Sequence, residues 1–129
     1  MAQPSRSKHE LLRWLTAYAA YLELLCIGVL AGNRGVSRCM WLSAFRSRYA
    51  QVIPEDSAAA WQLAVAHRRV IDTLVQLREV RVASGKAAAL RDELRRNRQA
   101  HAAALAHIAQ ALVALEGEHE AGGGDRADQ

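Results

Sequence analysis

Over Ser7 to Leu30 the chain is apolar from Leu11 onward except at Arg13, Thr16 and Glu23, which mark a single narrow polar line. That pattern predicts a long first helix buried on several sides, serving either as the core helix or as the main oligomer surface. The stretch 31–35, reading AGNRG, ends it, because Gly and Asn suit left-handed cap geometry. A short second helix is expected next, with Ser37 as N-cap and Trp41, Leu42, Phe45 and Tyr49 on its apolar face before Pro54. Asp56 or Ser57 then caps a third helix that continues to about residue 83, with Leu63, His67, Val70, Leu74 and Leu77 at steps of three and four. Ser84 and Gly85 interrupt the pattern. A fourth helix over 86–115 carries the heptad-like row Leu90, Leu94, Asn97, His101, Ala104, Ile108, Ala111 and Leu115.

Strand-like alternation between turn residues is absent, so the fold class is all-α. The architecture expected is an antiparallel bundle of four helices (long, short, long, long) in one domain over 1–116. The Gly-rich acidic stretch 117–129 is expected to be a disordered tail. Helices three and four would each hold about 28 to 30 residues, roughly 42 to 45 Å, and matched lengths favour a hairpin about Ser84 and Gly85. The competing arrangement is one continuous helix, since a lone glycine costs only about 1 kcal/mol.

Composition narrows the class further. The apolar share is 51% but the aromatic share only 5%, which suits closely packed helices rich in Ala, Leu and Val. Cys26 and Cys39 lack CxxC spacing and give no disulfide framework, so a reducing, cytoplasmic compartment is the default. The segment 14–31 tests that default, being 18 residues long with Glu23 as its single charge. A membrane span or export signal is disfavoured there, because a carboxylate near the middle costs roughly 2.5 to 3.5 kcal/mol on insertion.

Charge is unevenly placed although the formal net value is only +4. Residues 1–53 hold 7 basic and 2 acidic side chains, and residues 67–98 hold 9 and 4. Residues 99–129 reverse the sign, with 1 basic and 5 acidic. Around the junction of helices three and four stand Arg78, Arg81, Lys86, Arg91, Arg95, Arg96 and Arg98. Lys86 and Arg91 open a helix, where positive charge is unfavourable by about 0.3 to 1 kcal/mol. Two readings of this cluster stand: a solvated face balanced by Glu79, Asp92 and Glu93, or a surface for nucleic acid or an acidic protein. Residues 30–38 also look like a degenerate helix-turn-helix, with Arg38, Arg46 and Arg48 on or beyond its second helix.

A hairpin pivoting near Ser84 sets His67 opposite His101, and the same arithmetic about Gly32 and Asn33 sets Cys26 opposite Cys39. Three readings of the two imidazoles are open: polar seam positions that set register together with Asn97, a pH-sensitive interface, or a metal or haem site. A metal needs three or four converging ligands, and no HExxH or ExxH pair supplies them. No G-x-S-x-G, Walker loop, dinucleotide glycine pattern or paired carboxylates mark a catalytic site. The expectation is therefore a non-enzyme without cofactor or metal.

The order Leu77-Arg78-Glu79, Gly85, Leu90, Leu94-Arg95-Arg96-Asn97-Arg98 and the Ala/Leu-rich run 104–115 resembles the C-terminal part of flagellar hook-filament junction export chaperones. Leu24-Leu25 and Leu30-Ala31-Gly32-Asn33 are similar to the end of their first helix. Ser84 stands where those chaperones carry Asn, and the aromatic-rich second helix differs from theirs. The resemblance implies a small helical cytoplasmic protein whose C-terminal amphipathic helix holds an unfolded-prone secretion partner.

Together these features predict a protein-binding module, chaperone- or adaptor-like, that also associates with itself. Leu90, Leu94, His101, Leu105, Ile108 and Leu112 are the expected partner contacts. The alternative is a small basic DNA-binding accessory protein using residues 27–48 or the junction 78–98.

Overall fold

Long stretches of residues with good helix propensity run between the breakers at Gly32, Pro54 and Ser84-Gly85. The structure, a computed structural model, describes residues 4–32, 41–80 and 84–127, with side chains over 8–32, 42–80 and 84–115. Among the described residues the fold is all-α and contains no strand. Its α-helices are α1 (Pro4–Leu30), α2 (Trp41–Val52), α3 (Ser57–Arg78) and α4 (Gly85–Ala127).

Gly32 ends α1 as the AGNRG stretch predicts. Its φ is +97°, and its N–H and that of Ala31 donate to the carbonyls of Val29 and Ile27, each at 3.0 Å. The expected Ser37 cap, Arg38 and Cys39 lie outside the described residues. A 3-10 turn, Pro54–Asp56, joins α2 to α3. Asp56 does occupy the N-cap position of α3, but its side chain makes no capping hydrogen bond. The carboxylate instead accepts from the Tyr49 hydroxyl at 2.8 Å and meets His107 Nε2 at 2.9 Å. Water can satisfy an exposed helix N–H, whereas the hydroxyl of the buried Tyr49 needs a protein partner.

α3 stops at Arg78, five residues before the expected boundary. The Glu79 and Val80 N–H groups reach back only three residues, to Gln76 at 3.1 Å and Leu77 at 3.3 Å, which tightens the last turn. Ser84 then starts α4, its hydroxyl accepting from the Ala87 N–H at 3.0 Å. The break at Ser84 and Gly85 is therefore a connection between two helices, and the single continuous helix is set aside. The expected equality of lengths fails as well, with 22 residues in α3 and 43 in α4. α4 runs past Leu115 to Ala127 and takes in most of the segment expected as a tail.

α3 and α4 form the most extensive helix pair, and α1 packs against both while α2 packs on α1 and α3. Later residues of α4 meet earlier residues of α3: Asn97 bonds Thr73 at 2.9 Å, and His107 reaches Asp56 just ahead of α3. The core takes Leu11, Leu15, Tyr18, Leu22, Cys26 and Val29 from α1 and Leu42, Phe45 and Tyr49 from α2. α3 adds Leu63, Val70 and Leu74, and α4 adds Leu94, Ile108 and Leu112. Each leucine removed from water in this way contributes about 1.5 to 3 kcal/mol.

Burial of α1 on several sides is not what the fold shows. One line of the helix is buried, while Leu24 is 70% exposed, Ile27 53% and Leu30 46%. The segment Lys8–Leu30 is long and apolar enough to cross a membrane by length and composition alone.

Candidate functional site

A polar seam crosses the centre of the apolar core. Tyr18 lies on the buried line of α1, His67 on the α3 row and His101 on the α4 heptad row, so helical spacing alone turns all three inward. The Tyr18 hydroxyl stands 2.7 Å from His67 Nδ1 and 2.6 Å from His101 Nε2. A phenol carries one hydrogen, so it donates to one ring and accepts an N–H from the other. One turn earlier on α4, Asn97 Nδ2 donates to the Thr73 hydroxyl, which in turn donates to the Arg69 carbonyl at 2.8 Å. The seam is fully partnered: among the described residues no buried side-chain nitrogen or oxygen lacks a hydrogen bond.

Burial sets the electrostatics of the seam. Loss of hydration pushes the His101 pKa down from the ordinary imidazole range to about 4, and the nearby His67 and Arg98 add to the push. Burial lowers His67 as well. Both rings are therefore neutral at pH 7, as the two-way hydroxyl bridge requires. The Tyr18 oxygen occupies the point where the two ring nitrogens converge. Among the described residues no three His, Cys, Asp or Glu side chains gather as metal ligands.

Beside the seam a groove of about 540 Å³ runs between α1 and α4. Leu22, Cys26, Leu94 and Leu105 give it an apolar floor, and His101 lies along it. Arg91, Arg95 and Arg98 line one wall because their spacing of four and three residues places them on one helical face. Arg98 pairs with Glu23 across the groove, and Arg95 pairs with Asp92 at 2.9 Å. Burial pushes the Cys26 thiol up, with Arg98 opposing and Glu23 assisting that shift. Leu30 edges the groove, and Ile27 and Leu24, at successive steps of three along α1 from Leu30, are exposed to solvent outside it.

The expected partner contacts land mostly inside. Leu90, Leu94, His101, Ile108 and Leu112 are buried and Leu105 is half-buried, because the α4 heptad row meets α3 and α1 of the same chain. Leu94, His101 and Leu105 also line the groove. The nucleic-acid candidates scatter. Arg46 lies 4.8 Å over the Trp61 ring, Arg48 bonds Glu10 at 2.7 Å, and Arg78 pairs with Glu79 at 3.2 Å. Arg38 and Arg81 lie outside the described residues, while Lys86 and Arg96 are exposed.

Cys26 is a buried free thiol, and its expected opposite, Cys39, is outside the described residues. Sequence reasoning missed Tyr18 as the third member of the seam. A phenol on the line Leu11, Leu15, Tyr18, Leu22 was the available signal, since a buried hydroxyl needs a partner. It also missed the exposed stripe of Leu24 and Ile27, because an all-apolar helix does not reveal which side is left uncovered. No family model, curated protein or solved structure matches this chain.

Proposed function

We propose that this chain is a non-enzymatic, cytoplasmic protein-binding module of chaperone or adaptor type, built as an antiparallel four-helix bundle. It takes an apolar helix into the groove between α1 and α4, and the occupant to which we commit is the equivalent surface of a second copy. The observation that carries this reading is the exposed stripe Leu24, Ile27 and Leu30, whose last member edges a groove lined by Leu22, Leu94 and Leu105. Exposed large apolar side chains set side by side are one mark of an association surface. Basic 67–98 and acidic 99–129 add charge complementarity between two copies related by a two-fold axis with their α4 helices antiparallel. The resemblance to export chaperones points to the same class, with an unfolded-prone secretion partner competing for the groove.

Sedimentation equilibrium over a concentration series tests it. Wild type is expected to self-associate, and Leu24→Asp combined with Ile27→Asp is expected to be monomeric with an unchanged far-ultraviolet circular dichroism spectrum. A wild type that stays monomeric throughout, or a variant that associates equally well, overturns the assignment.

A second reading, a small basic nucleic-acid-binding protein, draws on Arg91, Arg95 and Arg98 sharing one face of α4. The pairs Arg98–Glu23 and Arg95–Asp92 weigh against it, because each carboxylate offsets charge that a phosphate would otherwise meet. Phosphate contacts would make affinity fall steeply with salt. Absence of a gel shift on duplex or single-stranded DNA at low ionic strength removes this reading.

A further inference from the structure

The seam of Tyr18, His67 and His101 has a property that the binding role does not use. Its three side chains come from three different helices, so the hydroxyl bridge is a direct tie of α1 to α3 and α4. Neither imidazole hydrogen-bonds a carboxylate that would stabilise its cation. The ionised groups near the cluster are unhelpful too. Arg98 on α4 is positive, and Glu23 of α1 is engaged by Arg98. On α2, Arg46 and Arg48 are held by Trp61 and Glu10.

The bridge works with both rings neutral, one presenting a lone pair to the hydroxyl and the other an N–H. A proton added to the accepting nitrogen displaces the phenol hydrogen from that line. A proton added to the outer nitrogen of the other ring leaves the bridge intact but puts an imidazolium in the buried seam. Either route is penalised, the first by a lost hydrogen bond and both by desolvation of the new charge.

We propose that Tyr18, His67 and His101 form a proton-operated lock that holds α1 onto α3 and α4 near neutral pH and releases it on acidification. His101 also lies along the α1–α4 groove, so release would open that groove. The lock itself does not depend on what the groove binds.

The sign follows from the ring environments. The folded chain holds both rings below their ordinary pKa, so the unfolded chain binds more protons once the pH drops below about 6.5. Stability is therefore full above that value and falls as the pH decreases, until His101 itself protonates at about 4.

Urea unfolding at pH 7, 6 and 5, comparing wild type with His67→Gln combined with His101→Gln, tests the lock. Between pH 7 and pH 5 the wild-type folding equilibrium constant is expected to fall about twentyfold for His101 alone, with His67 adding to the loss. The double variant is expected to lose less than threefold, since the other three histidines are the same in both chains. A wild-type loss below threefold, or equal losses in the two chains, overturns the proposal. Should the double variant fail to fold, the imidazole resonances of the wild type decide: a His101 ring still neutral at pH 5.5 supports the lock, and a His101 ring titrating in the ordinary imidazole range overturns it.

Discussion

Tyr18 and His101, 83 residues apart in the chain, meet at 2.6 Å inside the core, and the same hydroxyl reaches His67 at 2.7 Å. Tyr18→Phe keeps the ring packing but leaves two buried imidazole nitrogens without their shared partner. Urea unfolding at pH 7 is expected to show a loss of about 1 to 3 kcal/mol. A change below about 0.5 kcal/mol would mean that the bridge carries no stability.

Leu63 and Leu24 are the same residue in opposite settings, one fully buried on α3 and the other 70% exposed on α1. Leu63→Ala is expected to cost about 2 to 5 kcal/mol, through lost burial and the cavity left behind. Leu24→Ala is expected to stay within about 0.5 kcal/mol when measured on dilute protein, where association does not contribute. Equal losses would contradict the sidedness of α1.

Ser84 caps α4 through its hydroxyl, at the connection where a continuous helix was the alternative. Ser84→Ala is expected to lower stability by about 1 kcal/mol, and Ser84→Asp to retain it because a carboxylate caps equally well. If alanine and aspartate variants unfold together, the hydroxyl bond does not contribute.

Asp56 joins Tyr49 of α2 to His107 of α4, and burial together with that carboxylate holds the Tyr49 phenol firmly protonated. Asp56→Ala removes the acceptor of a buried hydroxyl and is expected to cost about 1 to 3 kcal/mol. His107→Ala is expected to cost far less, because its ring is exposed. Thermal unfolding of the two variants side by side checks the order.

Cys26 has a buried thiol whose pKa is raised, so little reactive thiolate is present or accessible. In a Cys39→Ser background, a colorimetric thiol reagent is expected to modify Cys26 slowly in buffer and rapidly in urea. Immediate reaction of the native protein would place Cys26 at the surface.

The helices were legible in the chain because each is a local matter of propensity and spacing. The rows Leu63, Val70, Leu74 and Leu90, Leu94, Ile108 turn inward as their steps of three and four require, and Gly32 stops α1 where its freedom at positive φ permits. The pairing of His67 with His101 was also within reach, since a turn near Ser84 sets which numbers face each other. Boundaries were less legible. α3 stops five residues early at Arg78, a difference of only a few weak hydrogen bonds that local propensity does not resolve.

Tertiary structure alone decided which apolar surfaces stay uncovered and what the polar side chains do. The α4 row could have met a partner or its own chain with the same periodicity, and α3 and α1 filled it first. α1 was apolar all round, so only packing could single out Leu24 and Ile27 as the uncovered side. Asp56 left its cap for Tyr49, and Tyr18 joined His67 to His101, because a buried hydroxyl must find whichever acceptor the neighbouring helices bring within reach. Periodicity is written along one helix, whereas burial and hydrogen-bond satisfaction belong to the contacts between helices.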